Sequence, residues 1–182
     1  MNGTWALSDK IAAVAIVVGA FQFFALVATV FVMIRTSQRQ LRAYVFNDHA
    51  NLVDFDNVPI AQILLKNAGQ TPAYKVVAWN AVRLAPFPLN IELIGHPDAE
   101  INRCNLGPGM TFHLTTRLSQ LPEPIKEAIR EGTKALYVYG RADYVDAFGR
   151  RRFLQWRLFY GADSVRRRDG SLGVYPEGND AN

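Results

Sequence analysis

The chain has 182 residues, with 20 Lys+Arg against 16 Asp+Glu and a formal net charge of +4. That excess is mild and dispersed, which argues against a nucleic-acid binder, whose basic residues cluster on one face. The single cysteine, Cys104, excludes an intrachain disulfide framework and suits a reducing compartment.

Residues 1–10 read as a short N-terminal tail. An apolar run then extends from Ile11 to Ile34 without one charged side chain. As a helix rising ~1.5 Å per residue it is about 36 Å long, enough to cross a hydrocarbon core of ~30 Å. A secretory signal has a shorter apolar region and a small-residue cleavage site, and Ile34-Arg35-Thr36-Ser37 offers none. Residues 11–34 are therefore expected to be a transmembrane helix. Ala15, Gly19, Gln22 and Thr29 share one of its faces. Small residues there allow close helix approach, and the Gln22 amide seeks a partner in the membrane, so this face is the candidate for weak self-association.

Helical periodicity continues through residues 35–41 as a basic juxtamembrane end. Arg35, Arg39 and Arg42 stand four and three apart, one stripe suited to lipid headgroups. Three arginines after the helix outweigh Lys10 before it, which orients the following domain toward the cytoplasm, with a periplasmic domain as the alternative.

Residues 42–161 form the expected globular part, enough for one core and too short for two. Strands are expected over Leu41–Asp48, Ile60–Lys66, Ala73–Leu84, Met110–Leu118, Leu136–Val145 and Phe153–Tyr160. In Ala73–Leu84, Tyr74, Val76, Ala78, Val82 and Leu84 point one way and Lys75, Trp79 and Arg83 the other; Asn80 interrupts the apolar face. In the last strand Leu154, Trp156, Leu158 and Tyr160 share a face. Pro86 to Pro108 resists assignment. One short helix is expected after Pro122, with Pro122 and Pro124 in its first turn and an Ile125, Ala128, Ile129 stripe. Glu123–Lys126 and Glu127–Arg130 are spaced as pairs on its exposed side, and Gly132 ends it. Residues 162–182 are polar and read as a disordered tail. Short strands with one helical crossover predict a mainly-β, immunoglobulin-like sandwich behind the transmembrane helix.

Two local motifs stand out, both as structural turns. In Asn67-Ala68-Gly69-Gln70-Thr71-Pro72, the amide of Asn67 can fold onto the backbone two residues on, Gly69 is expected at positive φ, and Pro72 fixes φ before the next strand. In Asp146-Ala147-Phe148-Gly149, Asp146 opens and Gly149 closes a hairpin. Together with the single span, the N-x-G-x-T-P-A-Y and Y-x-D-x-F-G-x-R patterns resemble uncharacterised single-pass membrane proteins of proteobacteria. The resemblance implies a β domain tethered to a bacterial inner membrane, and it carries no catalytic residue.

No catalytic, metal or cofactor signature emerges. His49, His96 and His113 lie far apart, and Cys104 has no Cys or His neighbour at ligand spacing. His96-Pro97-Asp98 matches the tripeptide of J-domain co-chaperones but lacks their preceding basic helix. Arg150, Arg151 and Arg152 at a hairpin tip, and Arg166-Arg167-Arg168 in the tail, are candidate headgroup contacts. The function these features predict is a non-enzymatic, membrane-tethered interaction or assembly module, its partners being the bilayer, a second copy through the helix, and a protein of unknown identity. A membrane-anchored hydrolase or transferase, and an accessory subunit of a transport or secretion complex, are the alternatives.

Overall fold

The computed structural model describes residues 7–93, 95, 99–161 and 170–182. The tripeptide at 96–98 and the arginine run at 166–168 lie outside the described residues. The chain divides into two units, Met1–Leu41 and Arg42–Asn182. The first is α1 (Leu7–Leu41), a helix long and apolar enough to span a membrane.

The second unit is built on seven principal strands: β1 (Val45–Val53), β2 (Ile60–Asn67), β3 (Ala73–Pro86), β4 (Asn102–Leu106), β5 (Thr111–Arg117), β6 (Lys134–Val145) and β7 (Arg151–Tyr160). Two short strands follow, β8 (Gly173–Val174) and β9 (Asp180–Ala181), and α2 (Glu123–Arg130) lies between β5 and β6. One antiparallel sheet has the order β1-β2-β5; the other has the order β4-β3-β6-β7-β8, with β9 also on β7. If β1–β7 are taken as strands A, B, C, C′, E, F and G, the sheets are A-B-E and C′-C-F-G. The fold is thus the immunoglobulin-like sandwich with one short helix that the sequence predicts.

The alternation of side chains explains the two layers. Ala61, Ile63 and Leu65 on β2 face Val76, Ala78, Leu136, Val138, Leu154, Trp156 and Leu158 of the larger sheet in one core. α2 adds Ile129 to that core, and Gly132, at φ +80°, closes the helix. Lys126 departs from the expected exposed position. It is 6% exposed, its ammonium donates to the Asp56 carbonyl, and it lies 3.5 Å from Glu123. Arg130 pairs with Glu123, Glu127 and Asp56, so the helix is pinned to the β1–β2 turn.

Several boundaries differ from expectation. β1 begins at Val45 rather than Leu41, because Ala43 and Tyr44 are bound into the Asn67 turn described below. Tyr74 is exposed, because β3 carries a bulge between Tyr74 and Val77, with Lys75 at φ +51° and its N–H donating to Asn105 Oδ1 at 2.8 Å. β4 lies inside the unassigned Pro86–Pro108 stretch.

The expectation of a disordered tail is corrected over residues 170–182. The Leu52 N–H donates to the Gly170 carbonyl and the Leu172 N–H to Ala50, which places this segment against β1. β8 and β9 then pair with β7. Tyr175 anchors the segment, edge-on to Tyr137 at 5.5 Å and to Phe159 at 6.2 Å, while its hydroxyl accepts from the Leu89 N–H. The segment is polar in composition, yet it pairs with two strand edges and half-buries one aromatic ring. It therefore closes the β1/β7 flank of the sandwich. The opposite flank, where β4 and β5 end their sheets, has no such cover among the described residues.

Candidate functional site

The Asn67 turn is a buried structural knot. Asn67 is wholly buried and uses its whole side chain. Its Oδ1 accepts from the N–H groups of Gly69 (2.9 Å) and Tyr44 (3.1 Å), and its Nδ2 donates to the carbonyls of Thr71 (2.9 Å) and Leu106 (3.0 Å). Gly69 is not in the left-handed region; the expected positive φ is absent. It is glycine because a Cβ would strike the Arg42 carbonyl, Ala43 Cα and Tyr44 N. Pro72 sits between this turn and β3. Tyr144 completes the clamp: its hydroxyl lies 3.4 Å from the Val45 N and 3.5 Å from the Ala43 carbonyl, and burial raises its pKa. Ala43, Tyr44 and Val45, which follow α1, are thus bonded into the domain.

The β6–β7 hairpin is a second knot. Asp146 is buried; its Oδ1 accepts from the Phe148 and Arg150 N–H groups and its Oδ2 from Arg152 Nε at 3.0 Å. Burial alone would raise this carboxyl, but the Arg150 amide, the Arg152 guanidinium and the Phe148 amide together hold it below the ordinary value. Gly149, at φ +76°, closes the turn as expected. Arg152 is therefore committed to Asp146. Arg150 and Arg151 are exposed.

The other headgroup candidates separate in the same way. Arg35 lies over the Phe31 ring at 4.2 Å on α1, and Arg39 is in its last turn. Arg42 falls beyond the helix end and does not extend the helical stripe; its guanidinium stands 5.8 Å from the Tyr44 ring. On the self-association face, Thr29 donates its hydroxyl to the Ala25 carbonyl at 2.8 Å, Gly19 faces open space, and Ala15 and Gln22 are exposed.

Two concave surfaces emerge that the motifs did not indicate. The first, of about 190 Å³, lies on the larger sheet between Trp79, Tyr139, Arg141 and Arg157. Trp79 meets Tyr139 edge-on at 6.1 Å. Arg141 is bound bidentately by Asp143, and Arg157 stands 6.0 Å from the Tyr175 ring. Burial raises the Tyr139 phenol, with Arg83 opposing.

The second, of about 290 Å³, opens on the β4/β5 flank beside Asn80, Glu100, Thr115, Thr116 and Arg117. Asn80 is 5% exposed, and its Nδ2 has no hydrogen-bond partner. The Asn80 interruption was legible in the sequence. Its companions on β5 were not, because only the pairing of the sheets brings them to it. Among the described residues no group of three or more His, Cys, Asp or Glu could hold a metal. Burial raises the Cys104 thiol, which keeps it protonated and a poor nucleophile. No family model, no curated protein and no solved structure matches the sequence.

Proposed function

We propose that the protein is a membrane-tethered, non-enzymatic interaction or assembly module at the cytoplasmic face of a bacterial inner membrane. The observation that carries this reading is the Trp79–Tyr139–Arg141–Arg157 surface, since Trp, Tyr and Arg are the residue types that anchor protein interfaces. The charged groups with displaced pKa values support it. Glu123, Arg130 and Arg141 owe the displacement to pairs that fix a helix or a strand, and Asp146 to the amides and guanidinium that fix its own turn. Catalytic groups would instead converge on one cavity.

The test is purification of the full-length protein from native membranes after cross-linking. Wild type should retain one partner stoichiometrically, and Trp79→Ala should lose it while melting as wild type does. Retention unaffected by Trp79→Ala, or turnover of an ester or phosphate substrate abolished by that change, would overturn the reading. Arg35 and Arg39 on α1, and the exposed Arg150 and Arg151 of the hairpin, are the arginines that remain suited to anionic headgroups. The Ala15–Gly19–Gln22 face remains the place for weak self-association, without the Thr29 hydroxyl as a donor.

A further inference from the structure

We propose that the β4/β5 flank holds a binding site for a small monocarboxylate, with the Asn80 amide at its base. This inference is independent of the interaction surface on the other face of the larger sheet.

The larger sheet pairs Asn80 with Gly140 and Gly140 with Trp156, one row across β3, β6 and β7. Both ends of the row carry a buried N–H donor without a partner, Asn80 Nδ2 and Trp156 Nε1. Trp156 is 2% exposed. Gly140 between them has no side chain, and a Cβ there would lie 2.5 Å from Trp156 Cζ2, so the indole ring occupies the space the glycine leaves. A buried donor left unmade costs on the order of 1–3 kcal/mol, and the Asn80 amide, which lines the cleft, calls for an acceptor there.

The mouth of the site adds to this demand. On β5, Phe112 and Leu114 pack into the core, and by alternation Thr116 turns toward the same interior, at the end where Asn80 stands. Thr115 and Arg117 line the opening. Arg117 is exposed and has no ion-pair partner among the described residues. Amide, hydroxyl and guanidinium donors surround one cleft, the donor set that a carboxylate takes. Glu100 on the same lip opposes a second negative charge, which limits the ligand to a monoanion.

The test uses the ¹⁵N-labelled full-length protein in detergent micelles, titrated separately with acetate, N-acetylglycine and neutral N-acetylglycine methylamide. Both carboxylates should shift the Asn80 side-chain amide signal saturably, and the methylamide should not. N-acetylglycine binding roughly tenfold tighter than acetate would mark the free carboxyl end of a peptide as the source; equal affinities would mark a free metabolite. Asn80→Ala and Arg117→Gln should each weaken binding roughly tenfold. Arg117 lies on the exposed lip, so its variant carries the test if Asn80→Ala does not fold. Absence of a saturable shift with either carboxylate, an equal response to the methylamide, or unchanged affinity in Arg117→Gln would overturn the proposal.

Discussion

Asp146 shows how one carboxylate can hold a whole hairpin. A turn between Val145 and Arg151 leaves backbone N–H groups without strand partners. The Asp146 carboxylate takes two of them and the Arg152 guanidinium as well. Its folded pKa is lowered, so its contribution is fully present above the unfolded value near 4 and is lost as pH falls through the folded value. Asp146→Asn keeps the Oδ1 acceptor and loses the ionic partner of Arg152, at a cost of about 2 kcal/mol at neutral pH. Thermal melts should show the variant roughly 4–8 °C below wild type at pH 7, with the gap closing below about pH 4 as the wild-type carboxyl protonates. A gap that is constant with pH would mean that the carboxylate's charge contributes nothing. Gly69 makes a different point at the same scale. Its identity was legible as a requirement, but the reason is close approach to the Arg42–Tyr44 backbone rather than positive φ, and that approach is a tertiary fact.

At the scale of elements, what was legible followed from periodicity. The alternating face of β7, the stripe and stop of α2, and the long apolar run each contain their own signal. β4 does not. It is short and polar, and it exists because it pairs with Ala73–Ala78 of β3. The exposure of Tyr74 was hidden likewise, since the bulge at Lys75 is held by Asn105 of the partner strand. The Asn80 cleft was half legible: a polar residue on an apolar face can be seen in sequence, but the Asn80–Gly140–Trp156 row needs the register of three strands. The C-terminal segment is the largest difference. Its order comes from the β7 edge and from Tyr175, not from its own composition. Tyr175→Ala removes the ring between Tyr137 and Phe159 and should destabilise the domain by roughly 1–2 kcal/mol. It should also speed amide exchange across residues 170–182. Those amides exchanging as fast in wild type as in the variant would restore the disordered tail.

For the whole molecule, α1 is long and apolar enough to span a membrane, and that reading raises the question of which side the sandwich would occupy. Only Arg42, Ala43 and Tyr44 separate the end of α1 from β1, and the Asn67 and Tyr144 contacts bind that link to the domain. These link residues belong to the domain, and the basic residues flanking α1 are the sequence feature that would set its side. Arg35, Arg39 and Arg42 follow the span and Lys10 precedes it, a bias that favours retention of the C-terminal side in the cytoplasm. A reporter should be fused after Asn182 rather than after Tyr160, because β8 and β9 complete the β7 edge. In a bacterial inner membrane, a reporter active only in the cytoplasm should be bright at that position, and one active only in the periplasm should be silent. Replacing Arg35 and Arg39 with Gln while adding Lys residues before Ile11 should reverse both signals. Strong periplasmic activity from the unaltered protein would move the sandwich, with its aromatic surface and its Asn80 cleft, to the outer side of the membrane. Partners for both surfaces would then have to be sought there.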